Sequence, residues 1–541
     1  MGSITSNAKS QTDYAFTVYR GTFIQSILPD SDSKPELSRN QGALWVSAFD
    51  GRIQGWDWQA GEDNAFAELM SRNGWIDIDA VDAQGQVNGH GSKIRVKIVT
   101  ASEEQNEFFF PGFIDTHIHA PQYPNAGLFG SSTLLDWLET YTFPVESRFG
   151  SPPDPKTGHQ TKTDPRDTPL LAQQIYNQVI SRTLSHGTTC ASYYATNHVP
   201  ATNALSWLCH TRGQRAFIGR ACMDNPDFCV GYYRDFSAED SIVATRQTIE
   251  YIHTLDPEGK LVKPIVTPRF APSCTRPALQ SLGELAASYS PPLHIQTHIS
   301  ENVNELALVK ELFPEADSYA AVYDKYNLLT PRTILAHAVH LSADERALIR
   351  ARSAKISHCP ASNSALGSGI CPVRTLLDEG ITVGLGTDVS GGYSPSILEA
   401  ARQACLASRL LGQSAAWQRD HLDGDGDYGR EKLSVPESLY LATRGGAAVV
   451  DMASDVGGFD MGMLWDVQLV RLGGVKLGEK SPLDGVLGDW SVDHVKDGPV
   501  GNVDLFGTES WEEKIQKWVW GGDDRNVKAV WVGGRLVHSR V

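Results

Sequence analysis

From about residue 111 to about residue 400 this chain repeats one pattern: a short apolar run, a polar loop and a helix-length segment. Antiparallel strands can be joined by a tight turn, whereas parallel strands need a crossover of a dozen or more residues. The alternation therefore confines this stretch to a parallel β/α fold. About eight runs can be picked out at the spacing expected of such units. They are Gly112–His117, Thr188–Tyr193, Ala216–Cys222, Pro264–Arg269, Leu293–His298, Thr333–His337, Lys355–His358 and Thr382–Asp388. Helical segments lie between them, including Ala278–Ser288 and Val373–Glu379. No sequence repeat underlies the order, so the expectation rests on succession alone. It is a (β/α)8 TIM-like barrel over residues 111–450, a size that one such unit can absorb.

The termini read differently. Tyr14–Ile27, Ala43–Ile53 and Lys93–Val99 at one end, and Trp465–Leu472 and Val527–Val537 at the other, have the pattern of antiparallel strands with no helices between them. They predict a small β-sandwich domain built jointly from residues 1–110 and 451–541. Ser151–Thr168, rich in Pro, Asp and Thr, reads as a long loop after the first barrel strand, a place where site walls and lids are often built. The acidic tract from Asp423 to Gly429 resembles the opening of a calcium loop but has Tyr428 where the turn glycine belongs and Ser434 where the bidentate Glu belongs. A solvated acidic turn is expected there.

Of the 541 residues 41% are apolar, an ordinary globular share, and the formal net charge is −17. That charge repels polyanions and argues against nucleic-acid binding, although a free nucleobase carries no phosphate and stays open as a ligand. The eight cysteines are scattered through apolar stretches with no Cys-x-x-Cys pair, which suggests reduced thiols in a cytosolic protein. No apolar run reaches membrane-spanning length, and the amino terminus has no hydrophobic signal core. Met1-Gly2-Ser3-Ile4-Thr5-Ser6 fits the permissive pattern of a myristoyl acceptor, but a polar tail is the plainer expectation.

His117, Arg269, His298, His337, His358 and Asp388 all stand at the carboxyl ends of expected strands, the face on which such barrels build their sites. His117 and His119 are two apart on an extended strand and share a face, with Asp115 at the same parity, so both imidazoles can address one ion. Zinc suits paired neutral ring nitrogens. Taken singly, each residue could be a core histidine or a capping aspartate. Several of them at one rim are hard to explain as packing, because buried polar groups are costly unless satisfied.

These segments resemble the amidohydrolase superfamily of metal-dependent hydrolases and, within it, the guanine deaminase family. The broad resemblance rests on Pro111-Gly112-Phe113-Ile114-Asp115-Thr116-His117-Ile118-His119 and Gly384-Leu385-Gly386-Thr387-Asp388. The narrower one rests on segments such as His119-Ala120-Pro121-Gln122-Tyr123-Pro124-Asn125-Ala126-Gly127, Tyr141-Thr142-Phe143-Pro144, Thr267-Pro268-Arg269-Phe270 and His298-Ile299-Ser300-Glu301-Asn302. His358-Cys359-Pro360-Ala361-Ser362-Asn363, Asp388-Val389-Ser390-Gly391-Gly392-Tyr393 and Gly521-Gly522-Asp523-Asp524-Arg525-Asn526 belong to it too. The match runs from about residue 108 onward. The first hundred residues and the region around 405–432 diverge.

The resemblance implies one zinc per subunit on His117, His119, His298 and Asp388, with His337 beside the attacking water. Relatives with two metals bridge them by a modified lysine at the end of the fourth strand. Here that strand ends Thr267-Pro268-Arg269, which favours one. The resemblance further implies guanine as the small-molecule substrate, xanthine and ammonia as products, a homodimer, and a cytosolic location without membrane or nucleic-acid partners. Glu301 is the implied proton shuttle, and Asp388 accepts the proton of the attacking water. Gln122, Arg269 and Phe270 are the implied purine contacts, sharing the substrate with Glu301, His337 and Asp388. A helix-start carboxylate is the alternative for Glu301, and a barrel-rim salt bridge the alternative for Arg269. A deaminase or chlorohydrolase for another aminated ring and a non-catalytic scaffold of the same descent are the rival functions.

Overall fold

A computed structural model describes residues 13–30, 33–80, 93–150, 163–414, 417, 429–473 and 502–540. Eight parallel strands form the barrel: β1 Phe113–His119, β2 Thr188–Tyr194, β3 Arg215–Gly219, β4 Val262–Pro268, β5 His294–Ile299, β6 Thr333–His337, β7 Lys355–His358 and β8 Val383–Leu385. Each pairs with the next in chain order. The ring is closed by residues just past β8, where Asp388 N donates to His117 O at 2.8 Å and His119 N donates to Val389 O at 3.0 Å. Thr387 is fastened to β1 as well, its N and Oγ1 donating to the two oxygens of Asp115 at 3.0 and 2.6 Å.

The expected runs lie where the strands are, and the largest difference is at the last. Thr382–Asp388 was expected to be extended throughout, yet β8 has three residues. Beyond it the chain runs against its neighbours: a Cβ on Gly386 would lie 2.7 Å from Ser357 Oγ and 2.8 Å from His117 Cβ. Two residues on, Asp388 sits at φ 46°. The helix expected at Ala278–Ser288 runs Arg276–Ala287, capped by the Thr275 hydroxyl and burying Leu279, Leu282 and Leu285 against the barrel.

Both termini join one nine-stranded sheet, in the order Arg535–Ser539, Val527–Val532, Val467–Arg471, Glu107–Pro111, Phe16–Ile27, Glu36–Ser47 and Ile53–Asp57, with Trp75–Asp77 and Ile94–Thr100 off that path. The expectation that no helices separate these strands is corrected. Asp63–Arg72 is a helix that buries Phe66 and Leu69, and Trp511–Gly521 is a helix that buries Ile515, Trp518 and Val519. Ala43–Ile53 is likewise not one strand, because the chain turns at Gly51 (φ 71°) between Glu36–Ser47 and Ile53–Asp57. The strand Glu107–Pro111 leads straight into β1, and aromatic rings from both ends meet beside it: Tyr19 stacks on Trp465 at 4.1 Å and Phe23 on Phe109 at 5.0 Å.

Asp466 bolts this sheet to the barrel floor. It accepts from Arg215 Nε and Nη2 at 3.0 Å each, with both side chains buried, and from Gly533 N at 2.7 Å. Asp466→Ala strands a guanidinium out of water, an arrangement that costs about 3–5 kcal/mol. The urea midpoint should fall accordingly, and an unchanged midpoint would mean Arg215 finds solvent.

All eight cysteines are free and buried, and among the described residues no helix is long and apolar enough to cross a membrane. The readings of Met1–Ser6, of residues 151–162 and of residues 423–428 fall outside the described residues.

Candidate active site

The rim side chains converge where β1, β5, β6 and β8 end. One ligand atom each from His117, His298, His337 and Asp388 lies within 4.8 Å of the others. Asp388 Oδ1 is 3.1 Å from His117 Nε2 and 3.4 Å from His119 Nε2, and its Oδ2 is 3.6 Å from His337 Nε2. His298 Nδ1 donates to Arg269 O at 2.5 Å, which leaves Nε2 as the bare nitrogen of a neutral ring. That nitrogen stands 3.1 Å from His119 Nε2. Acceptors facing one another this closely repel unless a proton or a cation lies between them. Among the described residues the buried Nε2 atoms of His117 and His337 have no hydrogen-bond partner. A soft, neutral-nitrogen donor set with one carboxylate fits zinc.

Electrostatics favour the same reading. Burial, reinforced by the neighbouring imidazoles, pushes His119 and His298 well below the ordinary imidazole range, so both are neutral and able to ligate. For Asp388 burial acts upward, but His117 and His337 outweigh it and hold the carboxyl well below its usual range. His337 moves the other way. Burial opposes its charge, yet Glu301 and Asp388 together raise it above its ordinary value.

Backbone strain accompanies the convergence. Ser300, His337, Ala338 and Asp388, all at or just past the ends of β5, β6 and β8, have φ between 46 and 75°. Left-handed conformations in non-glycine residues cost about 1–3 kcal/mol each and persist only where the surroundings impose them. Here they turn the strand-end side chains inward.

Glu301 Oε2 is 3.4 Å from His337 Nε2, and Oε1 accepts from Ser368 Oγ at 3.0 Å. Burial pushes this carboxyl up to about 7; His337 works against the rise, Asp388 and Glu305 with it. The helix that follows, Val303–Leu312, is capped by Asn302, with Glu305 closing the box by accepting from the Glu301 and Asn302 N–H groups. Glu301 is thereby free of the helix start and faces a pocket that it shares with Gln122, Arg269, Phe270, His337 and Asp388. Leu134, Trp137, Leu138 and Leu366 supply apolar walls.

Arg269 is paired, the salt bridge of the alternative reading, and it lines the pocket as well. Its Nη1 and Nη2 donate to the two oxygens of fully buried Glu146, at 2.7 and 3.2 Å. Sequence reading missed Glu146, which closes the short helix Phe143–Glu146. A charge directly after the apolar Phe143-Pro144-Val145 was the available signal. Asn363 was quoted only as part of a motif, yet its Oδ1 accepts from His337 Nδ1 at 2.9 Å and orients that ring. His358 ends β7 but stays outside the cluster, buried and pushed down to about 3. Asp115, whose parity matches His117, is instead engaged by Thr387.

A parallel barrel that gathers imidazoles and an aspartate at the carboxyl ends of its strands, around a small pocket with a raised-pKa acid, defines a hydrolase whose His/Asp group is able to hold a metal ion. Residues 108–537 match the amidohydrolase family, and the chain belongs to that family. It is 48% identical to a probable guanine deaminase of Schizosaccharomyces pombe over 80% of this chain and 71% of that one. It is 38% identical to the guanine deaminase of Homo sapiens over 80% of this chain and 83% of that one. The crystal structure of a guanine deaminase from C. acetobutylicum with bound guanine in its active site superposes with a TM-score of 0.71 at 26% identity, covering 97% of this chain and all of that one.

Proposed function

We propose that this chain hydrolyses guanine to xanthine and ammonia, with one zinc ion held by His117, His119, His298 and Asp388. The observation that carries the reading is one pocket lined together by a proton-holding carboxyl, Glu301, and by an amide and a guanidinium, Gln122 and Arg269. Relatives aligned over four fifths of this chain bear the name of that activity.

When bound, the metal supplies a nucleophile at neutral pH by acidifying a water molecule. The chain's own groups manage the protons. Glu301, with a carboxyl pKa of about 7, holds a proton near neutrality and delivers it to ring N3 of guanine, which makes C2 electrophilic. Asp388, ionised under these conditions, accepts the proton that the attacking water sheds. His337, oriented by Asn363 and lying between Asp388 and Glu301, steadies the charge developing there. Glu301, emptied by its first transfer, takes over the proton held by Asp388 and hands it to the amine, which leaves as ammonia while C2 becomes a carbonyl. Guanine's O6 and N7 are acceptors and match the donors of Gln122 and Arg269, whereas adenine presents an amino group at the same place and would leave those donors unpaired. Phe270, 5.1 Å from Phe228 between ring centres, forms part of the wall. The working unit of the proposal is a cytosolic homodimer.

Turnover of guanine, adenine and cytosine, compared side by side, tests the substrate. Guanine should be preferred over adenine by about 10⁴ or more, the discrimination that a well-made polar site can reach. A preference for any other aminated ring would replace this reading, and no turnover with a full metal complement would favour a scaffold.

A further inference from the structure

We infer that Glu146 is a positioning residue for recognition of a 6-oxo group, setting the donors of Gln122 and Arg269 while touching no reacting atom. The inference deepens the guanine reading and rests on it for the identity of the ligand.

Glu146 is wholly removed from solvent and receives hydrogen bonds on both oxygens. Oε1 accepts from Gln122 Nε2 at 2.8 Å and Arg269 Nη2 at 3.2 Å; Oε2 accepts from Arg269 Nη1 at 2.7 Å and Tyr233 OH at 2.6 Å. A carboxylate has room for about four such donors, so the group is saturated. Its partners come from distant parts of the chain. Gln122 follows β1, Arg269 follows β4, and Tyr233 lies beyond β3. No other described side chain bonds both Gln122 and Arg269.

The consequence is directional. The Gln122 amide is fixed at both ends, since Ser390 N donates to its Oε1 at 3.3 Å while its Nε2 is drawn to Glu146. Its carbonyl is therefore engaged by the Ser390 backbone N–H, and one amide N–H is left over. Arg269 gives Glu146 two of its five N–H groups and lies with its guanidinium carbon 5.5 Å from the centre of the Phe143 ring, which fixes the plane in which the remaining donors sit. Both Gln122 and Arg269 line the pocket, and Glu146 itself does not. Without the buried carboxylate the amide could turn its oxygen inward, and the guanidinium would lose its counter-charge. An acceptor such as a 6-oxo group would then meet a donor set that is no longer arranged for it.

The test uses the full-length, zinc-loaded protein and two purines that differ along this edge: hypoxanthine, with the 6-oxo group and the N1–H that accompanies it, and unsubstituted purine, with neither. Neither has the 2-amino group, so both report binding by calorimetry without turnover. The unsubstituted protein should bind hypoxanthine about tenfold or more tighter than purine. Glu146→Gln should reduce that ratio by about tenfold while purine affinity changes less than about threefold. Glu146→Asp, which keeps the charge at shorter reach, should recover part of the ratio. Should Glu146→Gln fail to fold, Tyr233→Phe removes one of the four donors without changing charge and should lower the ratio about threefold. Equal loss of both affinities, or a ratio that survives these substitutions, would overturn the inference. Guanine turnover by the unsubstituted protein is read separately. Its absence alongside a ratio that depends on Glu146 would refute the deaminase reading and leave the positioning role standing.

Discussion

Glu301→Gln should retain bound metal and lose about 10²–10⁴ of the rate of xanthine formation, the range contributed by a positioned general acid–base. The substitution is nearly isosteric and does not disturb the helix start, because Asn302 and Glu305 cap Val303–Leu312. The amide can still accept from Ser368 as Oε1 does now. It cannot hold a transferable proton. Burial that pushes this carboxyl to about 7 makes it half protonated near neutrality, which is where a group that must both give and receive a proton works best. Initial rates together with metal content check this. Full activity would remove Glu301 from the chemistry, and loss of metal would assign it to the ion instead.

Asp388→Ala should fail on both measures, with metal content falling and turnover lowered by more than about 10³-fold, since its proton-accepting role alone is worth about 10²–10⁴. Asp388 is the one carboxylate of the ligand group, and its Oδ1 stands within 3.4 Å of two imidazole nitrogens. Without it a dication would face neutral rings only. Because Asp388 has φ 46°, alanine also brings strain, whereas asparagine tolerates that conformation. Asp388→Asn should therefore lose metal nearly as fully as Asp388→Ala. Retention of zinc by the asparagine variant would show that geometry, and not charge, is what the residue supplies.

The barrel was legible because its strands are short apolar runs that end in polar residues, and the rim residues were legible because strand ends coincide with the catalytic face. The two helices of the terminal domain had signals that the strand pattern around them obscured. Ser510 and Glu513 stand at capping-box spacing across the start of Trp511–Gly521, and Asp63 and Arg72 carry opposite charges at the two ends of their helix. The short length of β8 was not legible, since it follows from the crowding of Gly386 against β1 and β7. Glu146 was missed for a similar reason. It lies on four residues of helix after an irregular turn, too short for periodicity to show, and its meaning depends on Arg269 and Gln122 arriving from other strands. What a single sequence conceals here is the pairing of distant polar groups, which local pattern cannot encode.

Ammonia release from guanine by the purified protein, measured after metal removal and again after zinc is restored, addresses the activity most directly. Release should match xanthine formed, stop on chelation and return with zinc alone. A zinc-replete protein that frees no ammonia from guanine, or one whose rate is indifferent to the chelator, would contradict the account.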